Sequence, residues 1–318
     1  MILPRRRVLL GASAAAVALA CPPAAARQLS FERSRGSSHT HYRVRWLDHG
    51  QRERDISFYL ETGEIDAATK LFREFSLEAM RDYMQDALRQ TAARWPQVKL
   101  EFEPRAVTAH GMGLAYRISG PQHMLAEASD QLKRTMDESK VRYVAGVLRR
   151  IDGNTITVDY IAATRRYVRA LAPLAQALSD AASGADDRGR LGLALSFFQA
   201  IPYDTLSNRV RDGGYDFAPP PTLLDMNRGD CDSKSVALAC VLRGLTPYRM
   251  SAMATMPGHA ILAVDVGWRD GDAWVRRDGR VFIAMEPAGP AVVPVGKVAR
   301  ETGRFLDQQR FYVWPLSA

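Results

Sequence analysis

The chain has 318 residues, 47% of them hydrophobic and 25% charged, with a formal charge of +8. That is ordinary globular composition, long enough for one large domain or two modest ones. The positive excess is mild, no long basic run occurs and no nucleic-acid motif is present, so nucleic acid is excluded as the expected partner.

Residues 1–26 read as a bacterial export signal. Arg5, Arg6 and Arg7 form a charged head, Val8 to Ala20 is a short apolar run, and Ala24-Ala25-Ala26 offers a small-residue cleavage site. The arginine triplet is similar to a twin-arginine signal, although Pro4 stands where Ser or Thr is usual. Ala18 to Cys21 resembles a lipoprotein box with its residues in the wrong order, so lipidation of Cys21 is the weaker alternative to a periplasmic or secreted chain. The apolar run is short for a membrane span, and nothing later approaches one, so no transmembrane span is expected in the mature chain.

Residues 27–41 are polar and rich in Ser and Arg, and read as a flexible lead-in. From there to residue 161 the pattern is mixed α+β. His41 to Trp46 and Asp55 to Leu60 alternate as strands. Leu77 to Trp95 is an amphipathic helix with Leu77, Met80, Tyr83, Met84, Leu88 and Ala92 on one face, Ser76 as its cap and Pro96 as its stop. Val98 to Phe102 and Gly113 to Ile118 read as strands, His123 to Met136 as a helix and Thr155 to Ile161 as a strand. His39, His41, His49, His110 and His123 are scattered without metal-ligand spacing beyond the His39/His41 pair in the lead-in. Residues 27–161 therefore read as an accessory region, separate from the chemistry, for substrate recognition or docking.

Residues 162–318 form the second unit. Ala162 to Ser179 is helical, Asp180 to Arg188 is a Gly/Ala/Asp-rich break, and Leu191 to Ala200 is a helix. Pro219-Pro220-Pro221 reads as a rigid surface lead-in to the stretch Asn227-Arg-Gly-Asp-Cys-Asp-Ser-Lys-Ser235. There a Gly-Asp-Cys turn opens an apolar helix with Val236, Leu238, Val241 and Leu242 at helical spacing, Arg243 in its last turn and Gly244 as its stop. Cys231 falls at the helix N-terminus, where unpaired N–H groups and the macrodipole favour a thiolate. Gly229 permits close backbone approach, and Asp230, Asp232 or Ser233 can cap the helix. Of the three cysteines, Cys21 lies in the leader. Cys231 and Cys240 are nine residues apart, about 900° along a helix, and so face opposite ways with no disulfide geometry. No Cys/His spacing suggests zinc.

Beyond the helix, Tyr248 to Thr255, Ala260 to Val266 and Val281 to Met285 read as strands, with turns at 256–259, 269–272 and 277–280. The tail from Phe305 to Trp314 supplies one more strand. His259 starts one strand and Glu286 follows another. In simple antiparallel register 259 lies opposite 286, 260 opposite 285 and 265 opposite 280. A carboxylate there accepts the imidazole N–H and leaves the other ring nitrogen for the thiol, giving nucleophile, base and orienter in the order Cys, His, acid. Asp265 is the rival acid if the register differs.

Gly229-Asp-Cys-Asp at a helix start, Gly258-His-Ala on a strand and Glu286-Pro after the next resemble the transglutaminase-like branch of the papain-like cysteine hydrolases. Pro221-Thr-Leu-Leu-Asp-Met-Asn-Arg-Gly-Asp-Cys-Asp resembles in particular the bacterial transglutaminase-like cysteine proteinases of the periplasm. The resemblance covers roughly residues 185–290. It implies an α+β papain/transglutaminase-like core, a nucleophile helix packed on an antiparallel sheet, with Cys231 as nucleophile, His259 as base and Glu286 as acid, where the family usually has Asp. In some members acids flanking the cysteine bind calcium; Asp230 and Asp232 match those positions, with helix capping as the preferred role and no other metal or cofactor implied. The implied chemistry is acyl transfer on a protein or peptide amide through a thioester, the oxyanion held partly by the Cys231 N–H. Tyr203 and Tyr215 are placed to complete the oxyanion hole, aromatic packing being the alternative role. The expected protein is an exported thiol peptidase or amidase. A catalytically silent peptide-binding module and an amine-linking transglutaminase are the alternatives.

Overall fold

The computed structural model describes residues 27–103, 107–108, 111–112, 114–152, 155–208, 216–247, 249–288 and 292–316. Residues 1–26, expected to be an export signal and containing Cys21, lie outside the described residues, as do His110 and Tyr215. The protein is α+β with antiparallel sheets. No helix among the described residues is long and apolar enough to cross a membrane.

The chain opens with a three-stranded meander, β1 (Gln28–Arg35), β2 (His39–Leu47) and β3 (Glu53–Glu61), paired in that order. The lead-in expected at residues 27–41 is therefore a strand and the start of another: its Ser and Arg side chains alternate along an edge, where polar residues are tolerated. Helix α1 (Thr62–Glu74) follows. Next come α2 (Leu77–Ala92), with Ser76 accepting from the Ala79 N–H as its cap, and the short strands β4 (Lys99–Phe102), β5 (Val107–Thr108), β6 (Gly111–Met112) and β7 (Tyr116–Ser119). α3 (Gln122–Gly146) runs ten residues past the expected end and leads to the hairpin β8 (Arg149–Asp152) and β9 (Thr155–Val158). α2 and α3 pack together through a satellite core of Met80, Met84 and Val144.

The expected helix over 162–179 is two, α4 (Tyr160–Tyr167) and α5 (Ala172–Ala181), divided where Pro173 enters at the first turn of α5. α6 (Asp187–Ala200) is capped by Asp186. The proline triplet is a correction to the surface lead-in: Pro219 precedes α7 (Pro220–Met226), and Pro220 and Pro221 are buried. Proline is compatible with a first helical turn, where the N–H has no intrahelical partner to lose. α8 (Cys231–Leu245) is buried along almost its whole length. It is enclosed by α4, α5, α6 and α7 and by the strand β11 (His259–Val264), which explains why its apolar pattern runs all round.

The second sheet has five antiparallel strands in the order β12-β13-β11-β10-β14. Its strands are β10 (Ser251–Met256), β11 (His259–Val264), β12 (Trp274–Arg277), β13 (Arg280–Met285) and β14 (Tyr312–Pro315). Period-two alternation sends Met253, Ala260, Leu262, Val264, Ile283 and Met285 into the core shared with α8. Ala254, Ile261, Ala263, Phe282 and Val313 face a second core closed by Phe305 and Leu306 of α9 (Arg300–Asp307). The tail thus supplies a helix as well as the expected strand. The sheet curls until its two edges meet, with the Arg277 guanidinium 5.8 Å from the Tyr312 ring centre.

The large core also contains Tyr42, Trp46, Phe58 and Leu60 from the first sheet, so apolar contact continues from that meander through α5 and α6 to α8. The Trp46 indole N–H donates to Ser196 on α6 at 3.0 Å, and the Gln28 and Asn227 side-chain amides pair reciprocally at 3.0–3.1 Å.

Candidate active site

Asp230 is the N-cap of α8, its carboxylate accepting from the Ser233 N–H at 2.9 Å, and Cys231 is the first helical residue. The cap is stabilised in the ordinary way, an oxygen meeting an orphan N–H at the positive end of the helix. Gly229 is required by close approach: a Cβ there would come within 2.6 Å of Leu223 Cδ1 on α7. Its backbone forms a parallel bridge with Tyr203, which brings the segment after α6 beside the cysteine turn.

The Cys231 sulfur is mostly buried, 7% of the residue being exposed. The helix that Cys231 heads packs on β11, and the backbone N–H of Ala260, the residue that follows His259 on that strand, acts electrostatically on the sulfur, so thiol and imidazole belong to adjoining elements of the fold. The Cys231 S–H donates to Asp232 Oδ1 at 3.6 Å. Burial first, then the Asp232 and Asp230 charges, push the thiol pKa up, and the Ala260 N–H acts against them. The helix dipole, which favours a thiolate, is outweighed in this environment.

His259 is partly exposed, 22% for its side chain, and its Nε2 lies 2.9 Å from Glu286 Oε1. A neutral imidazole that donates through Nε2 keeps its lone pair at Nδ1. Glu286 is buried and accepts two further bonds, from the Ala299 N–H at 2.6 Å and from the Thr302 hydroxyl at 2.9 Å, both at the start of α9. Burial alone pushes this carboxyl up, but the bonds from His259, Ala299 and Thr302 prevail and hold it below the usual glutamate range. The backbone carbonyl of Glu286 accepts from the Gln199 side-chain amide at 2.9 Å, as does that of Val293, and Gln199 is bonded in turn to His49 at 2.9 Å.

The register of β11 on β13 corrects the expected pairing. Leu262 stands opposite Met285 and Val264 opposite Ile283, a shift of two residues. The cause is β12, which is built from part of the loop between those strands and pairs on the far side of β13 through the Arg277↔Arg280 hairpin. A two-residue slip preserves side-chain faces, so His259 still reaches Glu286 diagonally. Asp265 is not the orienter: it lies beyond the far end of β11, 3.7 Å from Arg280.

Asp230 and Asp232 sit together at the head of α8, and burial raises both pKa values. Asp232 Oδ2 accepts from the Tyr160 hydroxyl at 2.7 Å. The two carboxylates are thus occupied by Ser233, Tyr160 and Cys231, and no group of three or more His, Cys, Asp or Glu among the described residues is disposed around a common metal point. Their bonding is that of a helix cap and of a buried acceptor. Tyr203 is half-exposed, and burial together with the charges at Cys231 and Asp230 pushes its phenol up to about 12. Cys240 is wholly buried, donates to the Thr164 carbonyl, and forms no disulfide.

Several contributors are invisible to sequence patterning. Thr302 and Ala299 come from the tail, Tyr160 from the start of α4, and Gln199 from the end of α6. Lys234 carries a local signal, since a lysine inside an apolar helical run must be either a surface residue or a buried charge; it is fully buried, and its ammonium donates to the Ile201 carbonyl. In comparisons with known proteins, no family model, no curated protein and no solved structure matches the chain.

Proposed function

We propose that the protein is an exported thiol peptidase or amidase of the transglutaminase-like kind, acting on a protein or peptide amide through Cys231, His259 and Glu286. The observation that carries this reading is the 2.9 Å bond between His259 Nε2 and Glu286, at the start of the strand that packs on the Cys231 helix. The order Cys, His, acid on helix, strand and following strand is the second support.

In the reaction His259 takes the thiol proton through Nδ1 as sulfur bonds to the amide carbonyl carbon. Glu286 stabilises the imidazolium and keeps the ring oriented. The tetrahedral oxyanion is met by the Cys231 N–H, unpaired within the helix, with Tyr203 as the adjoining hydroxyl donor. Collapse breaks the C–N bond, and the imidazolium returns its proton to the departing amine. Water, deprotonated by His259, then cleaves the thioester and restores the thiol. The resting nucleophile is a neutral thiol, because burial and the flanking carboxylates oppose a standing thiolate.

The test is iodoacetamide alkylation of Cys231 as a function of pH, located by mass spectrometry, in the wild type and in His259→Ala. A strong dependence on His259 is expected. A profile untouched by the replacement overturns the hydrolase reading.

A second reading, a silent peptide-binding module, is favoured by the low exposure and raised pKa of the Cys231 thiol. Full complementation of a deletion phenotype by Cys231→Ala selects it; loss of complementation by a folded Cys231→Ala selects the enzyme.

A further inference from the structure

The amine of Lys234 is buried without a salt bridge among the described residues. The residue is 0% exposed, yet its Nζ donates to a backbone oxygen, that of Ile201, and lies 6.0 Å from the centre of the Tyr203 ring. Lysine is almost never fully buried without a partner of opposite charge in contact. Here the nearest negative groups are set by helix geometry. Asp230 and Cys231 precede Lys234 by four and three residues and share its face of α8, and both act electrostatically on it.

We propose that Lys234 is a positioning residue for Cys231: it ties the 201–203 segment, and with it Tyr203, to the head of α8, and it supplies the cation that offsets the carboxylates around the sulfur. The inference rests on the hydrolase reading above and extends it. The charged and titratable groups facing Lys234 are Asp230 and Cys231 from its own helix and Tyr203 from the segment after α6. Asp232 and Tyr160, with the ion pair of buried Arg149 and half-exposed Asp216, make up the adjoining set. Burial lowers the amine, while the Asp230 and Cys231 charges act to keep it protonated. The reciprocal effect is that a protonated Lys234 favours the Cys231 thiolate.

The geometry also assigns the cation a second consequence. Tyr203 is the hydroxyl donor of the proposed oxyanion site, and the Ile201 carbonyl two residues before it is pinned by Lys234. Losing the ammonium therefore removes one tether of the Tyr203 segment, leaving the Gly229 backbone bridge, at the same moment that it removes the charge.

The experiment compares alkylation–pH profiles of Cys231 in the full-length wild type, Lys234→Met, Lys234→Arg and His259→Ala, with thermal melting of each. Lys234→Met is expected to move the alkylation midpoint upward by about one pH unit or more, and Lys234→Arg, which keeps the charge, to restore most of the shift. A folded Lys234→Met with the wild-type midpoint overturns the inference while leaving the His259 dependence intact. Loss of the His259 dependence overturns the hydrolase reading instead. Should Lys234→Met not fold, Lys234→Arg decides, an unshifted midpoint supporting the role and an upward shift of a unit overturning it. Should neither fold, 15N titration of the Lys234 ammonium in the wild type decides: an amine still protonated across the pH range in which Cys231 is alkylated supports the cation, and one that has lost its proton below that range overturns it.

Discussion

His259 and Glu286 are bonded at 2.9 Å even though, on the β11–β13 ladder, Glu286 is level with Ile261. The imidazole is reached diagonally, from a carboxylate that is also clasped by Ala299 and Thr302. Diagonal neighbours on a sheet stand about 7–8 Å apart, within reach of long side chains. Glutamate has that reach and aspartate is one methylene, about 1.5 Å, shorter.

Glu286→Asp is therefore expected to behave as a loss of the acid. Turnover, once a substrate is in hand, should fall about 100-fold, with Glu286→Gln falling comparably because an amide does not stabilise the imidazolium. An aspartate variant of wild-type activity would show that the diagonal contact is dispensable.

The same carboxyl sets an acid limb of stability. It is held below its usual range in the fold, so the unfolded chain binds this proton more readily. The stability that it contributes is complete above the unfolded value, about pH 4.3, and is lost as pH falls through the folded value. Melting curves of the wild type should decline on that limb, and Glu286→Gln should flatten it.

Asp230→Asn separates capping from charge. Asparagine is an equally good N-cap, so the helix head should persist. The negative charge that raises the Cys231 thiol is removed, and the alkylation midpoint should fall by about one pH unit. An upward or absent shift in a folded variant would refute the field assigned to Asp230.

Tyr160→Phe leaves Asp232 without its 2.7 Å donor in a buried setting. Urea denaturation should show a loss of about 1–2 kcal/mol. In a double-mutant cycle with Asp232→Asn the two losses should not add.

Gly229→Ala drives a methyl into Leu223, which is fully buried. A cost of about 1–3 kcal/mol is expected. Pairing the change with Leu223→Ala should give a smaller total loss than the sum of the single replacements, read by the same denaturation.

The helix that carries Cys231 was legible because its signals are local: an Asp cap, apolar residues at helical spacing and a basic last turn. The strands bearing His259 and preceding Glu286 were legible for the same reason. Their register was not, since it depends on where β12 is inserted, and period-two alternation is unchanged by a two-residue slip. β1 was hidden by the polarity of an edge strand, and α9 by its shortness and its charged residues. Thr302, Tyr160 and Gln199 reach the site across separations of 16, 72 and 87 residues, and no window along the chain connects them to it. The opposition between helix dipole and buried acids at Cys231 likewise emerges only when burial is known.

The meeting of β12 with β14 bears on behaviour in a crowded compartment. An open sheet offers unpaired backbone rims to any passing strand, and those rims template fibrils. In the five-stranded sheet the rims turn toward each other and are guarded by Arg276, Arg277 and the aromatic rings of Trp274 and Tyr312. That curvature withholds the template, so this part of the molecule should resist polymerising at concentrations where a flat sheet of the same composition would not.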